Sequence, residues 1–172
     1  MNGNLSALLA QYRDGFGLPR GLYLEEQVYR AELERIWRKG WLFAGHSIEI
    51  QEPGDYFLFS LGAEELIVAR TETGAIAASH NLCRHRGSLV VTEASGHARR
   101  LVCPYHQWTY APDGELMPED LDKSAWGLKR VAACELEGLI FVCLANEPPD
   151  FEPAAALMAP MVRPQGFGRA RR

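Results

Sequence analysis

The chain has 172 residues, 47% of them apolar and 23% charged, with a formal net charge of −4. That length suits one domain with a helical lead-in, and the composition can fill a core. The acidic balance, with basic residues scattered until Arg169, Arg171 and Arg172, argues against nucleic acid, and no apolar run approaches the ~20 residues of a membrane-spanning helix. The opening MNGNLSALLAQYRDGFG has no basic region before its apolar stretch, so it does not read as a signal peptide. A cytoplasmic address is the expectation, and in that reducing setting the four cysteines are metal ligands or buried thiols rather than disulfides.

Residues 1–40 are expected to form a helical lead-in. Ser6 is a candidate cap for a short helix over Ala7–Tyr12, ended by Gly15, Gly17 and Pro19. The spacing predicts a second helix from Glu25 to Lys39, with Val28, Tyr29, Leu33, Ile36 and Trp37 on one face and Gly40 at its stop. Tyr29, Trp37 and Trp41 are expected in the core.

From Trp41 the texture changes to short runs broken by Pro53-Gly54, Thr73-Gly74 and Pro112-Asp113-Gly114. Predicted strands are Trp41–Ala44, Asp55–Leu61, Glu65–Thr71, Ala75–Asn81, Arg99–Val102, Gln107–Tyr110 and Leu139–Leu144. The expectation is a mostly β chain, a small antiparallel sandwich over residues 41–146, with residues 117–133 as a surface excursion. Asn146-Glu147-Pro148-Pro149-Asp150 reads as a break, so residues 147–172 form a linker and a short helix over Phe151–Val162.

Two short loops carry the chemistry: Cys83-Arg84-His85-Arg86-Gly87 and Cys103-Pro104-Tyr105-His106-Gln107-Trp108. The spacing is Cys-x-His, seventeen intervening residues, then Cys-x-x-His. Each loop offers one thiolate and one imidazole at a predicted strand end. This is the pattern of a [2Fe–2S] cluster with two cysteines on one iron and two histidines on the other. Cys83, His85, Cys103 and His106 are therefore the candidate ligands. Neutral imidazoles remove two negative charges relative to all-cysteine ligation, so adding an electron costs less. Such clusters span roughly −150 to +300 mV, against about −400 mV for plant-type ferredoxins.

Structural zinc on two cysteines and two histidines is the main alternative. Zinc spacings usually pair Cys with Cys and His with His, whereas this chain pairs Cys with His twice. Elsewhere, Cys134 and Cys143 read as buried thiols, and His46 and His97 lack a ligand partner at useful spacing. His80 stands near the first loop without a clear role, and Asp113 belongs to a turn.

At these loops the sequence resembles the N-terminal Rieske domain of Rieske non-haem iron oxygenase alpha subunits, the aromatic-ring-hydroxylating dioxygenase type. Asn81-Leu82-Cys83-Arg84-His85-Arg86-Gly87 and Cys103-Pro104-Tyr105-His106-Gln107-Trp108-Thr109-Tyr110 carry the resemblance, supported by Ile36-Trp37-Arg38-Lys39-Gly40-Trp41 and Glu52-Pro53-Gly54-Asp55-Tyr56. Gln107, where many oxygenases carry Gly or Ala, and Gly138-Leu139-Ile140-Phe141-Val142-Cys143-Leu144 resemble the branch that demethylates glycine betaine or stachydrine. High-potential respiratory Rieske proteins carry an extra cysteine in each loop and a serine two positions after the last histidine. Here Tyr105 and Trp108 occupy the corresponding positions, which implies the lower end of the potential range, with Tyr110 retained as a hydroxyl donor.

The resemblance further implies a reductase or ferredoxin as electron donor. It implies a catalytic domain holding mononuclear Fe(II) on two histidines and a carboxylate, in the same or a neighbouring subunit of a trimer. Residues 107–172 contain no histidine, so they do not supply that triad, and the chain reads as a partial alpha subunit. A stand-alone Rieske ferredoxin-like carrier and a zinc-stabilised interaction module are the other readings. Arg84, Arg86 and Trp108, beside the exposed histidines, are candidate docking residues.

Overall fold

A computed structural model of the chain describes residues 3–117 and 122–170. Helices α1 (Gly3–Leu9), α2 (Gly21–Leu24) and α3 (Glu26–Glu32) lead in, and strands β1 (Leu42–His46), β2 (Asp55–Leu61), β3 (Glu64–Arg70), β4 (Ile76–His80) and β5 (Ser95–His97) follow. After these come β6 (Leu101–Val102), β7 (Thr109–Tyr110), α4 (Lys123–Trp126), β8 (Arg130–Leu136), β9 (Leu139–Cys143) and α5 (Glu152–Val162). A seven-stranded sheet runs in the order β1-β9-β8-β4-β3-β2-β5, and β6 and β7 form a separate two-stranded hairpin. Every strand pair is antiparallel. The expected mostly β architecture with N-terminal helices is what forms.

Strand β3 explains why the sheet has two layers beside it. Successive side chains of a strand point to opposite faces. Leu66 and Val68 enter one core with Ile50, Phe57, Ala78, Ile140 and Val142. Ile67 and Ala69 enter a second core with Tyr56, Leu101, Tyr110, Leu116 and Leu128. A run of four apolar residues is what a strand buried on both faces needs. The second core also contains Cys83 and Cys103, so the candidate ligand loops are rooted in it.

The lead-in differs from the expected continuous helix over Glu25–Lys39. Glu25 is extended, at φ −84° and ψ 125°, and separates α2 from α3. Beyond α3, Leu33–Trp37 form a π-helical turn in which Arg38 N–H reaches the Leu33 carbonyl. That wider turn takes later residues out of 3.6-residue register, so the predicted stripe does not stay on one face. Val28 is buried, but Tyr29 and Trp37 are 46% and 42% exposed, which corrects their assignment to the core. Trp41 is half-buried, donates to the Pro149 carbonyl and meets Phe151 edge-on at 5.0 Å. The first helix also begins before Ser6, which therefore lies inside it rather than capping it.

A second correction falls in the expected excursion over 117–133. Residues 118–121 lie outside the described residues, as do Arg171 and Arg172 of the tail. Arg130–Leu136 is a strand in the middle of the sheet, paired to β4 and β9. Its hairpin with β9 turns on Glu137 and Gly138, both at positive φ (51° and 88°). Two such residues between paired strands are the signature of a tight hairpin turn whose twist matches the strands. Strand β5 was also not among the predicted strands.

Candidate metal centre

The site is built from the two loops that the second core supports. Asn81, fully buried at the end of β4, anchors the first. Its amide nitrogen donates to Glu65 Oε1 at 2.6 Å and the Val91 carbonyl at 2.7 Å. Its Oδ1 accepts from Val90 and Val91 N–H at 2.9 and 3.0 Å. One side chain thus ties both ends of the segment around Cys83. The hairpin β6–β7 carries the second loop between its strands.

The two loops share one backbone frame. Cys83 N–H donates to the Ser88 carbonyl and Gly87 N–H returns to the Cys83 carbonyl. Cys103 N–H donates to the Trp108 carbonyl and Gln107 N–H returns to the Cys103 carbonyl. The fourth residue after each cysteine adopts positive φ, 69° at Gly87 and 60° at Gln107. Each turn therefore directs its cysteine inward and lifts the intervening residues outward. Cys83 and Cys103 are 3% and 1% exposed, whereas His85 and His106 are exposed.

The thiols sit among donors. Burial pushes the Cys103 thiol up, but hydrogen bonds from Tyr105 and His106 N–H, Cys83 and Ser88 outweigh it and hold it below its ordinary value. Tyr110, fully buried, brings its hydroxyl within 3.3 Å of Cys83 Sγ. Arg84 N–H donates to the same oxygen at 3.1 Å, which leaves the hydroxyl proton for the sulfur. Burial first, then that sulfur contact, raise the Tyr110 pKa, so the phenol stays protonated.

The imidazoles form an aromatic group on the outside. His85 and His106 have ring centroids 4.7 Å apart. Trp108 stacks on His85 at 5.0 Å and 8°, and Tyr105 leans over His106 at 3.9 Å. Desolvation, then the nearby His85 and Arg86, lower the His106 pKa and favour its neutral form. Among the described residues, no group of three or more His, Cys, Asp or Glu side chains converges on a position for a single metal ion. Tetrahedral zinc needs four donors about one point. A paired arrangement, thiols inside and imidazoles outside, instead suits a group with two metal ions.

The other histidines have separate duties. His46 Nδ1 accepts from Ile48 N–H, and His97 Nδ1 lies 2.9 Å from Asp55 Oδ1. His80 Nδ1 faces Glu64 Oε2 at 3.5 Å, away from the loops. Asp113 accepts from Glu115 N–H in its turn and from Arg130. Cys143 is buried in β9 and Cys134 is half-buried, its thiol pKa raised by burial. Arg84 and Arg86 are exposed, and Trp108 is half-buried. Sequence reasoning missed the tie made by Asn81, and it missed Trp126, which meets Trp108 edge-on at 5.8 Å.

Residues 40–123 match the family described as Rieske [2Fe-2S] domain. The chain is 40% identical over 163 residues to the glycine betaine monooxygenase oxygenase subunit of Chromohalobacter salexigens, covering 91% of this chain and 37% of that one. It is 36% identical over 159 residues to the large oxygenase component of the naphthalene 1,2-dioxygenase system of Pseudomonas putida, covering 87% and 35%. Among solved structures, naphthalene 1,2-dioxygenase from Rhodococcus sp. bound to indole aligns with a TM-score of 0.77 at 33% identity, over 87% of this chain and 36% of that one. A quaternary ammonium Rieske monooxygenase in complex with gamma-butyrobetaine aligns with a TM-score of 0.77 at 26% identity, over 86% and 45%. The chain spans about 37% of the curated relative it matches at 40% identity. The chain therefore belongs to the Rieske oxygenase alpha-subunit family and contains its Rieske [2Fe–2S] domain.

Proposed function

We propose that Cys83 and Cys103 hold the inner iron of one [2Fe–2S] cluster, that His85 and His106 hold the outer iron, and that the chain relays single electrons. The observation that carries this reading is the shared loop frame, which buries both thiols and exposes both imidazoles. When bound, such a cluster takes up and gives up one electron at a time. The surrounding residues do the rest. The core at Leu101, Leu116 and Tyr110 keeps water from the sulfur side. Tyr110 and the backbone N–H groups offset negative charge there. The exposed imidazole edges offer the short path to partners.

The route we infer runs from a reductase or ferredoxin, through this domain, to a mononuclear Fe(II) centre in a catalytic domain of the same or a neighbouring subunit. Arg84, Arg86 and Trp108 are the docking residues in that reading, and a trimer is its assembly. The division into a lead-in (1–40), a cluster domain (41–146) and a connector (147–172) belongs to the same proposal, as does a cytoplasmic setting. Among the described residues, no helix is long and apolar enough to cross a membrane. Quaternary ammonium compounds of the glycine betaine kind are the substrate class we infer, from the relatives named above. A free-standing carrier is disfavoured because likeness to oxygenase subunits extends over 91% of the chain.

Purification under anaerobic conditions tests the reading. Red-brown protein with iron and acid-labile sulfide, reversibly bleached by one electron per chain, is expected. Colourless protein containing zinc contradicts it.

A further inference from the structure

Trp108 has two aromatic neighbours, and the second leads away from the imidazoles. One face of Trp108 stacks on His85, nearly parallel at 8°. Trp126 meets it at 87°, with centroids 5.8 Å apart. Trp108 is half-buried against the second core, while Trp126 is 42% exposed. The three rings thus run from a candidate ligand to the surface without a break.

The outer ring is held in place by its backbone. Trp126 N–H donates to the Asp122 carbonyl, and Leu128 N–H donates to the Gly114 carbonyl. Leu128 is buried in the core that also supports Trp108. Gly127, between them, passes so close to Gly114 that an added Cβ would lie 3.1 Å from the Gly114 carbonyl oxygen. Lys123, one turn earlier, pairs with Glu115 across the same contact at 3.5 Å. Trp126 is therefore fixed at both flanks, yet left open to solvent.

Resting on the ligand assignment above, we propose that Trp126 and Trp108 form a conduit that carries electrons from the surface at α4 to His85. Two exchanges need two faces: if the imidazole edges meet the electron acceptor, a donor gains by a separate approach. In each event a one-electron donor is oxidised by one electron and the oxidised cluster is reduced by one. No bond forms or breaks, no proton moves, and both indoles stay in their closed-shell state, lending orbitals only. Trp108 also acts as a positioning residue, since its stacked face fixes the plane of His85.

The test uses the cluster-loaded chain with Lys123→Cys, in a Cys134→Ser background, labelled with a ruthenium polypyridyl complex. A flash with an aromatic amine as sacrificial electron source reduces the label, which then passes one electron inward. Trp126→Leu should slow the bleaching of the oxidised cluster by about tenfold, and Trp126→Phe should restore most of the rate. Both variants should keep the visible spectrum, the midpoint potential and the rate of reduction by dithionite, which reaches the imidazoles directly. Equal flash rates in the parent and Trp126→Leu, with the spectrum intact, overturn the conduit alone. A parent protein that takes up no iron and sulfide overturns the ligand assignment, and the conduit with it.

Discussion

Gly87 and Gln107 occupy the same place in two copies of one turn. Each is the fourth residue after a cysteine, each returns its N–H to that cysteine's carbonyl, and each has positive φ, 69° and 60°. Glycine adopts this region freely, whereas a residue with a Cβ is strained there by about 1–2 kcal/mol. The second loop therefore carries strain that the first avoids. Gln107→Gly should stabilise the fold by about 0.5–1 kcal/mol after the larger entropy of the unfolded glycine is counted. Gly87→Ala meets no atom within 4 Å, so its cost is conformational and should be about 1 kcal/mol. Denaturant titration of the two variants checks both signs.

Tyr110→Phe isolates one hydrogen bond. The hydroxyl is 3.3 Å from Cys83 Sγ and already accepts from Arg84 N–H, so its loss removes a proton aimed at the sulfur. Added negative charge strengthens such a bond, so the reduced state loses more than the oxidised one. A loss of roughly 1 kcal/mol corresponds to about 40 mV for one electron. The midpoint potential should fall by that order, read by redox titration. An unchanged or higher potential would contradict the role given to the hydroxyl.

Asn81→Ala should be severe, because the side chain is fully buried. It strands Val90 N–H, Val91 N–H and the Val91 carbonyl, which Asn81 now satisfies. Each buried unpaired group costs about 1–3 kcal/mol, less what water recovers. Loss of at least 2 kcal/mol, with lower iron content per chain, is the expected result. Thermal melting and metal analysis of the same preparation read both.

Asp55 gives the fold an acid-sensitive point beside β5. Burial alone would raise its pKa, but hydrogen bonds from Glu52 and Gln51 N–H and from His97, with the charge of His97, lower it overall. A carboxylate whose folded pKa lies below its unfolded value adds stability above the unfolded value and loses it as pH falls through the folded one. The contribution is thus full above about pH 4 and lost below it. Asp55→Asn should flatten the acid limb of stability against pH, read by denaturant titration at a series of acidic pH values.

The loops were legible because chemistry constrains their spelling: Cys83, His85, Cys103 and His106 stand at spacings few other roles require. Strand β2 was legible to the residue, since Tyr56–Phe59 is an aromatic and aliphatic run and the strand is bounded by Gly54 and Gly62. Strand β8 was not, because Arg130-Val131-Ala132-Ala133-Cys134-Glu135-Leu136 has little β-branched character and only partial burial. Its signal was the two-residue turn at Glu137-Gly138 that pairs it with β9. The lead-in misled by periodicity, since one π-helical turn after Leu33 rotates Ile36 and Trp37 outward. Contacts made far along the chain, such as Asn81 with Val90 and Val91 or Trp108 with Trp126, have no local spelling at all.

Nitrogen hyperfine spectroscopy of the dithionite-reduced protein tests the ligand set most directly. Two imidazole nitrogens should couple to the unpaired electron in the parent protein, and one in each of His85→Cys and His106→Cys. A parent spectrum without nitrogen coupling, or one unchanged by either substitution, would contradict the assignment of Cys83, His85, Cys103 and His106.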